Sequence, residues 1–524
     1  MNDNFPELPK SVESKRSIFL RGCFAMAAAL VVLFAASTLF PLASYPPARI
    51  AAIVIAGTPG DLATSMIERL GKGAIRTLSL FVNAGVVLAG GFVALWIARG
   101  LDRRRSAVKA ALAGAAGFVS ATLLAAFGPE GFTAIGSASY LAASFLYARY
   151  ALGRPLLAEL RPRLKAGETP LDAMRTSRRR FLLKAGTATA AVAVGATALY
   201  RFFFGSTNTG VRIVSADKPW VSPPDDPAFP SVEGLTPEVT PTSAFYNIDI
   251  NIAKPAVDQK DWRLKIGGLV ENPYELDYTT LQEQFEVVEL AHTLTCISNE
   301  VGGDLISTAI WRGVRLRDVL TRGVLEAGVV DIVFRAADGY SDSIKVSKAL
   351  EESTLVVFGM NGEPLPRKHG FPARIIVPGI YGMKNVKWLK SIEAVNHDYQ
   401  GYWMVRGWSD EARIKTQSRI DVPTDGGKAR PGGKVAGVAW AGDRKVSRVE
   451  VSFDEGKTWS EALMKRELSP VAWRIWAAEL ESGRGKKKII VRSTDGNGDA
   501  QEAEVTRPHP DGSSGRHSIR VEVS

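Results

Sequence analysis

Cysteine is scarce in this chain, two among 524 residues, and one of the two is placed for chemistry. Cys296 ends an apolar, β-prone run (Val287, Val288, Leu290, Leu294) and opens a loop, Ile297-Ser298-Asn299-Glu300-Val301-Gly302-Gly303-Asp304. A thiol at a strand end, facing a loop, can ligate or react. Thiolate is a soft donor suited to a high-valent metal with sulfur coligands, and a thiol without a disulfide partner is free to serve. The other cysteine, Cys23, lies in a segment of membrane type, which argues against an internal disulfide. Alone, such a cysteine is more often a small buried hydrophobe. The blocks of sequence around Cys296 overturn that expectation.

Four ordered blocks lie between residues 240 and 505. Phe245-Tyr246-Asn247-Ile248-Asp249 precedes Asp261-Trp262-Arg263-Leu264-Lys265-Ile266-Gly267-Gly268. His292-Thr293-Leu294-Thr295-Cys296-Ile297-Ser298-Asn299 holds the thiol. His369-Gly370-Phe371-Pro372-Ala373-Arg374 leads to Val377-Pro378-Gly379 and Lys384-Asn385-Val386-Lys387-Trp388. Last come Gly437 to Gly442, Val449 to Trp459 and Trp473-Arg474-Ile475-Trp476. Together these resemble the sulfite oxidase family of molybdenum enzymes, in which the cysteine of a T-x-x-C-x-x-N-like segment binds molybdenum held by a pterin dithiolene. The resemblance implies that Cys296 is the metal ligand and that His369, Arg374, Asn385, Val386 and Lys387 bind the pterin phosphate. It sets Tyr246 and Asn247 on the other face of the pterin and makes Asp338 a further hydrogen-bonding candidate. A phosphate dianion held away from water calls for such cations and N–H groups.

Departures from the family bear on the substrate. Sulfite-oxidising members carry an arginine where this chain has Asn247, another where it has Val301, and a tyrosine where Trp408 stands. Exchanging two cations and a phenol for an amide, an isopropyl group and an indole removes most of the anion affinity of a sulfite pocket. Cys296, Asn247 and Trp408 are therefore the candidate catalytic positions, in a pocket altered for a different substrate, with a neutral molecule such as a sulfoxide as one candidate.

The elements that must position these residues fall into two halves of opposite character. Residues 1–205 are apolar, and 18–40, 75–98, 107–127, 132–152 and 181–204 are each long enough to cross a bilayer. Basic clusters before the first span, between the second and third, and between the fourth and fifth fall on one side, which sets the N-terminus in the cytoplasm and everything after 205 outside. Ser177-Arg178-Arg179-Arg180-Phe181-Leu182 resembles a twin-arginine export signal, here ahead of a retained anchor. Much of the net charge of +11 is topology on this reading, which leaves no case for nucleic acid. No histidine precedes His292 and no C-x-x-C-H occurs, so no haem is expected.

Residues 206–240, rich in Pro, Asp, Ser and Thr, predict an extended tether. From 241 to 405 short β-type runs alternate with helical ones, an α+β pattern for the molybdopterin domain. From 406 to 524 strands and turns predict a β-sandwich, immunoglobulin-like and able to dimerise in the family resembled. The whole predicts a molybdopterin-dependent oxidoreductase, membrane-anchored in a bacterial inner membrane with its catalytic domain in the periplasm. It would perform two-electron, oxo-transfer-type chemistry on a small molecule other than sulfite and exchange electrons with a cytochrome or quinone-linked protein. The alternatives are a sulfite dehydrogenase or sulfoxide reductase and, from another class, a metal-free membrane scaffold or binding protein.

Overall fold

The computed structural model of the chain describes residues 18–20, most of 22–31, positions 50 and 54, and 74–98, 213–217, 226–250, 254–480 and 483–524. It divides into two units, one of 1–57, 72–209 and 251–253 and the other of 58–71, 210–250 and 254–524.

In the first unit the described element of any length is α1 (Ala74–Ala98). Its paired glycines allow a close helix–helix approach: a Cβ at Gly90 would lie 2.4 Å from the Met26 Cβ, and one at Gly91 would lie 2.6 Å from the Cys23 Sγ. Phe19 meets Phe92 edge to face, ring centroids 5.1 Å apart. Leu80, Phe81 and Leu88 face outward. α1 covers the second expected span, with side chains described between 77 and 93, and the first span is described only in part. The other three, and the arginine pair at 178 and 179, lie outside the described residues. Among the described residues no helix is long and apolar enough to cross a membrane, so the five-span expectation is without structural support. Hydropathy registers apolar length wherever it is buried, in lipid or in protein.

The second unit begins with ten strands: β1 (Leu264–Gly268), β2 (Tyr274–Leu276), β3 (Val287–Thr295), β4 (Ile306–Arg315), β5 (Asp331–Ala336), β6 (Ser341–Lys345), β7 (Leu355–Met360), β8 (Glu363–Pro364), β9 (Arg374–Ile376) and β10 (Leu389–Val395). One sheet runs β2-β1-β10-β5-β6, with β1 parallel to β10; the other runs β3-β4-β7-β8, with β9 also on β7. Alternation in β1 sends Leu264 and Ile266 inward. The uniformly apolar β7 is buried along its whole length. Helix α2 (Tyr278–Glu283) starts where the Asp277 carboxylate accepts from the Thr280 N–H at 2.7 Å. Helix α3 (Leu316–Gly323) buries Leu316, Val319 and Leu320, one stripe at i, i+3, i+4. Trp262, Trp311, Phe334 and Phe358 fill the core between these elements.

The C-terminal part has one sheet of β11 (Gln417–Val422), β13 (Lys434–Trp440), β17 (Arg474–Glu479) and β16 (Leu463–Met464) in that spatial order. The other follows β12 (Lys428–Ala429), β19 (Ser518–Val523), β18 (Gly485–Asp495), β14 (Val446–Ser452) and β15 (Ser460–Glu461). Val449 and Val451 alternate with outward Arg448 and Glu450 and meet Val435 and Trp476 across the layer, which makes the pair a β-sandwich. The described parts of 206–240 are irregular but lie against the fold: the Asp217 N–H donates to the Val287 carbonyl at 2.8 Å, and the Trp473 indole donates to the Glu238 carbonyl at 2.9 Å. A stretch read from composition as a free tether is thus held along part of its length.

Candidate active site around Cys296

β3 is an edge strand, and it delivers Cys296 to a loop closed on itself. The Cys296 N–H donates to the Leu305 carbonyl (2.9 Å), the Asn299 N–H to the Cys296 carbonyl (3.0 Å), and the Leu305 N–H to the Asn299 side-chain oxygen (2.8 Å). Gly302 turns the loop at φ +77°, a region that favours glycine. The Cys296 Sγ lies 3.0 Å from the Ser298 Oγ. Burial pushes the thiol pKa up, against the lowering effect of Ser298 and of the Lys387 charge. Next to it, the buried Thr295 Oγ1 has no hydrogen-bond partner.

The short β9 and the turns around it carry the cations. Arg374 is 4% exposed, and its guanidinium donates to two backbone carbonyls, His369 (3.2 Å) and Asn385 (3.0 Å). Its Nε has no partner, and burial pushes its pKa down to about 10. Lys387 donates to the Asn247 side-chain oxygen (3.1 Å), the Ile248 carbonyl (3.0 Å) and the Asp249 carboxylate (3.2 Å), and burial brings its pKa down to about 8. Lys254 shares that same carboxylate at 2.9 Å, so one anion serves two ammonium groups. His369 is buried beside Arg374 and pushed down to about 3 by burial first and that charge second, hence neutral.

Asn385 and Val386, expected to act through backbone and side chain, offer only backbone. The Asn385 side chain is consumed in folding the 377–381 turn, accepting from the Val377 N–H (2.7 Å) and donating to the Tyr381 carbonyl (3.2 Å), and the Val386 side chain is in the core. Asp338 accepts from the Tyr340 N–H (3.0 Å) in the β5–β6 turn. Tyr246 stands over the Cys296 strand: a Cβ on Gly382 would lie 2.6 Å from its Oη and 3.3 Å from the Thr295 carbonyl. Its pKa is pushed well up by burial and by Cys296. Trp408 is buried with Ile297, Tyr381 and Trp440, and its ring meets His509 edge to face at 5.0 Å. The indole N–H groups of Trp408 and Trp440 have no partners. A cavity beside the loop is lined by Asn299, Val301, Ile306, Arg419, Trp440 and Ser513, so both the loop and the sandwich supply its wall.

Residues 251–403 match the family described as oxidoreductase molybdopterin binding domain, and 412–508 match the Mo-co oxidoreductase dimerisation domain. These two stretches are thus similar to the two domains of a molybdopterin-dependent oxidoreductase. The NAD(P)H nitrate reductase of Hordeum vulgare is 30% identical over 321 residues, 49% of this chain and 36% of that protein. The mitochondrial sulfite oxidase of Macaca fascicularis is 32% identical over 313 residues, 50% of this chain and 57% of that protein. A solved chain of the sulfane dehydrogenase SoxCD from Paracoccus pantotrophus is 21% identical with a TM-score of 0.49, over 55% of this chain and 83% of that one. The chain thus spans about a third of the length of the nitrate reductase and just over half that of the sulfite oxidase.

The residues fit a molybdenum pterin. Among the described residues no group of three or more His, Cys, Asp or Glu could hold a metal, so a metal on Cys296 has to bring most of its own ligands, as a dithiolene does. Arg374 is a buried cation whose guanidinium donates to two carbonyls, lies 5.2 Å from the Trp311 ring centre and keeps an orphaned Nε–H, an arrangement completed by an anion. Two features escaped the sequence reading. Lys384 is a structural ammonium bonded to Asp342 (3.2 Å), Asp410 (2.9 Å) and the Ser343 carbonyl (2.9 Å), and Asp342 is still pushed up to about 6 by burial. Tyr381 is fully buried, its pKa is pushed up to about 12 by burial first with the nearby Cys296 a lesser cause, and it sits where no motif marked it.

Proposed function

We propose that the chain is a membrane-anchored enzyme of the bacterial periplasm that carries out two-electron redox chemistry on a small substrate other than sulfite and exchanges the electrons with a separate carrier. The bound cofactor supplies the two-electron, oxygen-transfer chemistry. Cys296 ligates its metal. Arg374 and Lys387 bind its phosphate as cations, and neutral His369 contributes a ring nitrogen. Tyr246 closes the pocket over the β3 end.

The observation that carries this reading is the asymmetry of charge around Cys296. Unbalanced cations gather on the cofactor side, whereas the cavity on the loop side is lined by Asn299, Val301, Ile306 and Trp440, and its one arginine, Arg419, is paired with Asp421 at 2.6 Å. A sulfite or sulfate ion entering there meets no uncommitted cation among these residues. Asn247, expected at one vacated arginine position, is held by Lys387. Anchoring rests on the length and apolar composition of residues 1–205 and on their one-sided basic clusters. The matched dimerisation domain supports a homodimer.

The test is elemental and pterin analysis of the chain purified from a molybdenum-replete bacterium, with about one molybdenum per chain expected because one thiolate serves one metal. Stoichiometric zinc, or no metal, sinks the reading. Sulfite turnover at about 1 per second or faster would overturn the substrate assignment alone. Replacing Arg178 and Arg179 by Lys tests the location. The catalytic part should become protected from protease added to spheroplasts, because the charge is kept while the arginine pair is lost. Unchanged digestion would remove the export reading.

A further inference from the structure

The segment from Ala291 to Gly303, with Cys296 near its middle, is gripped by the C-terminal sandwich on both sides of the thiol. Upstream, the Ser469 hydroxyl donates to the Ala291 carbonyl (2.5 Å), the Thr293 N–H to the Val471 carbonyl (3.2 Å), and the Trp473 N–H to the Thr293 hydroxyl (2.8 Å). Residues 469–473 thus occupy the open side of edge strand β3, which is otherwise a row of unpaired backbone groups. Downstream, the Ser513 hydroxyl donates to the Asn299 carbonyl (2.7 Å), and the Arg419 guanidinium donates to the Gly303 carbonyl (2.8 Å) while Asp421 (2.6 Å) and the Thr236 hydroxyl (3.0 Å) hold it in place. Between these two carbonyls, Gly302 lies against the His517 ring so closely that a Cβ would stand 2.4 Å from it, and the His517 Nδ1 accepts from the Ile420 N–H (3.0 Å). Ile297 and Ile306, at the two feet of the loop, pack on Val438, Trp440 and Ile475 of the sandwich.

We propose that the sandwich is the second half of the metal site: Ser513 and Arg419 are positioning residues that set the direction of the Cys296 Sγ by fixing the carbonyls of Asn299 and Gly303. The proposal rests on Cys296 being the metal ligand. Two residues separate Cys296 from Asn299, so the thiol has little freedom once that carbonyl and the β3 hydrogen bonds are fixed. Ligand groups need such support to hold a productive geometry, and loss of a partner behind them changes affinity or activity without loss of the ligand itself. Movement of the sandwich against the molybdopterin domain is then transmitted directly to the metal ligand and to the cavity wall.

The full-length holoenzyme carrying Ser513→Ala or Arg419→Met is the test, with three measurements: metal and pterin content, the visible absorption band of sulfur-to-metal charge transfer, and amide hydrogen exchange of 297–305. Content should be kept. Exchange in that segment should quicken by about 5- to 10-fold, the loss expected of one buried hydrogen bond, the band should shift, and kcat should fall with KM little changed. Ser513→Thr, which keeps the hydroxyl, should restore the native band. Exchange and band both unchanged in Ser513→Ala would overturn the proposal even where Arg419→Met fails to fold. Cys296→Ser in parallel separates the two ideas: an unaltered band there removes the ligand assignment itself, whereas a lost band with a silent Ser513→Ala removes only the clamp.

Discussion

Arg374→Met is the sharpest probe of the anion-binding side. Burial lowers the Arg374 pKa from its ordinary 12.5 to about 10, so holding the cation inside the fold costs roughly 3 kcal/mol at neutral pH. A base whose folded pKa is lowered pays that cost at every pH below the folded value, and relief comes only as pH rises through about 10; a comparison at pH 7 contains it in full. Methionine removes the cost but leaves the carbonyls of His369 and Asn385 without their donors, about 1–3 kcal/mol in the opposite direction. The cofactor-free chain should therefore change in stability by less than about 2 kcal/mol. With the phosphate bound the same cation is compensated, and its removal should weaken cofactor retention by about 2–5 kcal/mol, or 30- to 5,000-fold. The assay pairs urea unfolding of the cofactor-free chain with pterin and molybdenum content after gel filtration. Full retention of cofactor would refute the anion site. A drop in cofactor-free stability of several kcal/mol would show Arg374 to be an internal strut.

Three further outcomes follow from the same geometry. Cys296→Ser should abolish turnover while pterin remains bound, because the phosphate contacts lie on β9 and the 385–387 turn; retained activity with any donor or acceptor would return Cys296 to the role of a buried hydrophobe. Gly302→Ala should destabilise the chain by about 1–3 kcal/mol, from a left-handed φ of +77° and a methyl 2.4 Å from the His517 ring; an unchanged denaturation midpoint would mean the loop is free to move. Lys387 has a folded pKa of about 8, so its burial penalty in the cofactor-free chain is relieved as pH rises from about 8 toward 10.5, whereas anion binding needs the ammonium and should weaken over that window. Dialysis of the holoenzyme between pH 7 and 10 checks this, and flat retention would separate Lys387 from the phosphate.

The strand end and the glycine-bearing loop at Cys296 were legible in local sequence, and the structure has both, with β3 ending at Thr295 and Gly302 at φ +77°. The sandwich was legible from the alternation at Val449, Val451 and Phe453. Roles set by a side chain's direction were not. Asn385 reads as a polar pterin ligand, yet its amide closes the turn at Val377 and Tyr381. Arg419, Ser513 and Tyr381 carry no motif, since each acts through contacts with residues 75 or more positions away, such as Gly303, Asn299 and Cys296. The 226–240 stretch has the composition of a free linker, and only the positions of its partners Trp473, Lys465 and Arg419 show that it is held.

On the proposed reading, cofactor and substrate make opposite electrostatic demands near Cys296, and different groups of the chain would answer them. A phosphate dianion needs cations that are desolvated before it arrives, and Arg374 and Lys387, whose pKa values burial lowers, would serve it. Were the same uncompensated charge present on the loop side, any small oxyanion would compete for the cavity. Val301, Ile306 and Trp440 leave only a neutral wall there, and Arg419 is spent on Asp421 and the Gly303 carbonyl. The buried Trp440 indole N–H in that wall has no hydrogen-bond partner among the described residues, and it is a donor able to meet a neutral oxygen but too weak to recruit an anion from water. An arginine introduced at Val301 would test the division: sulfite should then bind more tightly, and cofactor content should stay the same because Arg374 and Lys387 are untouched.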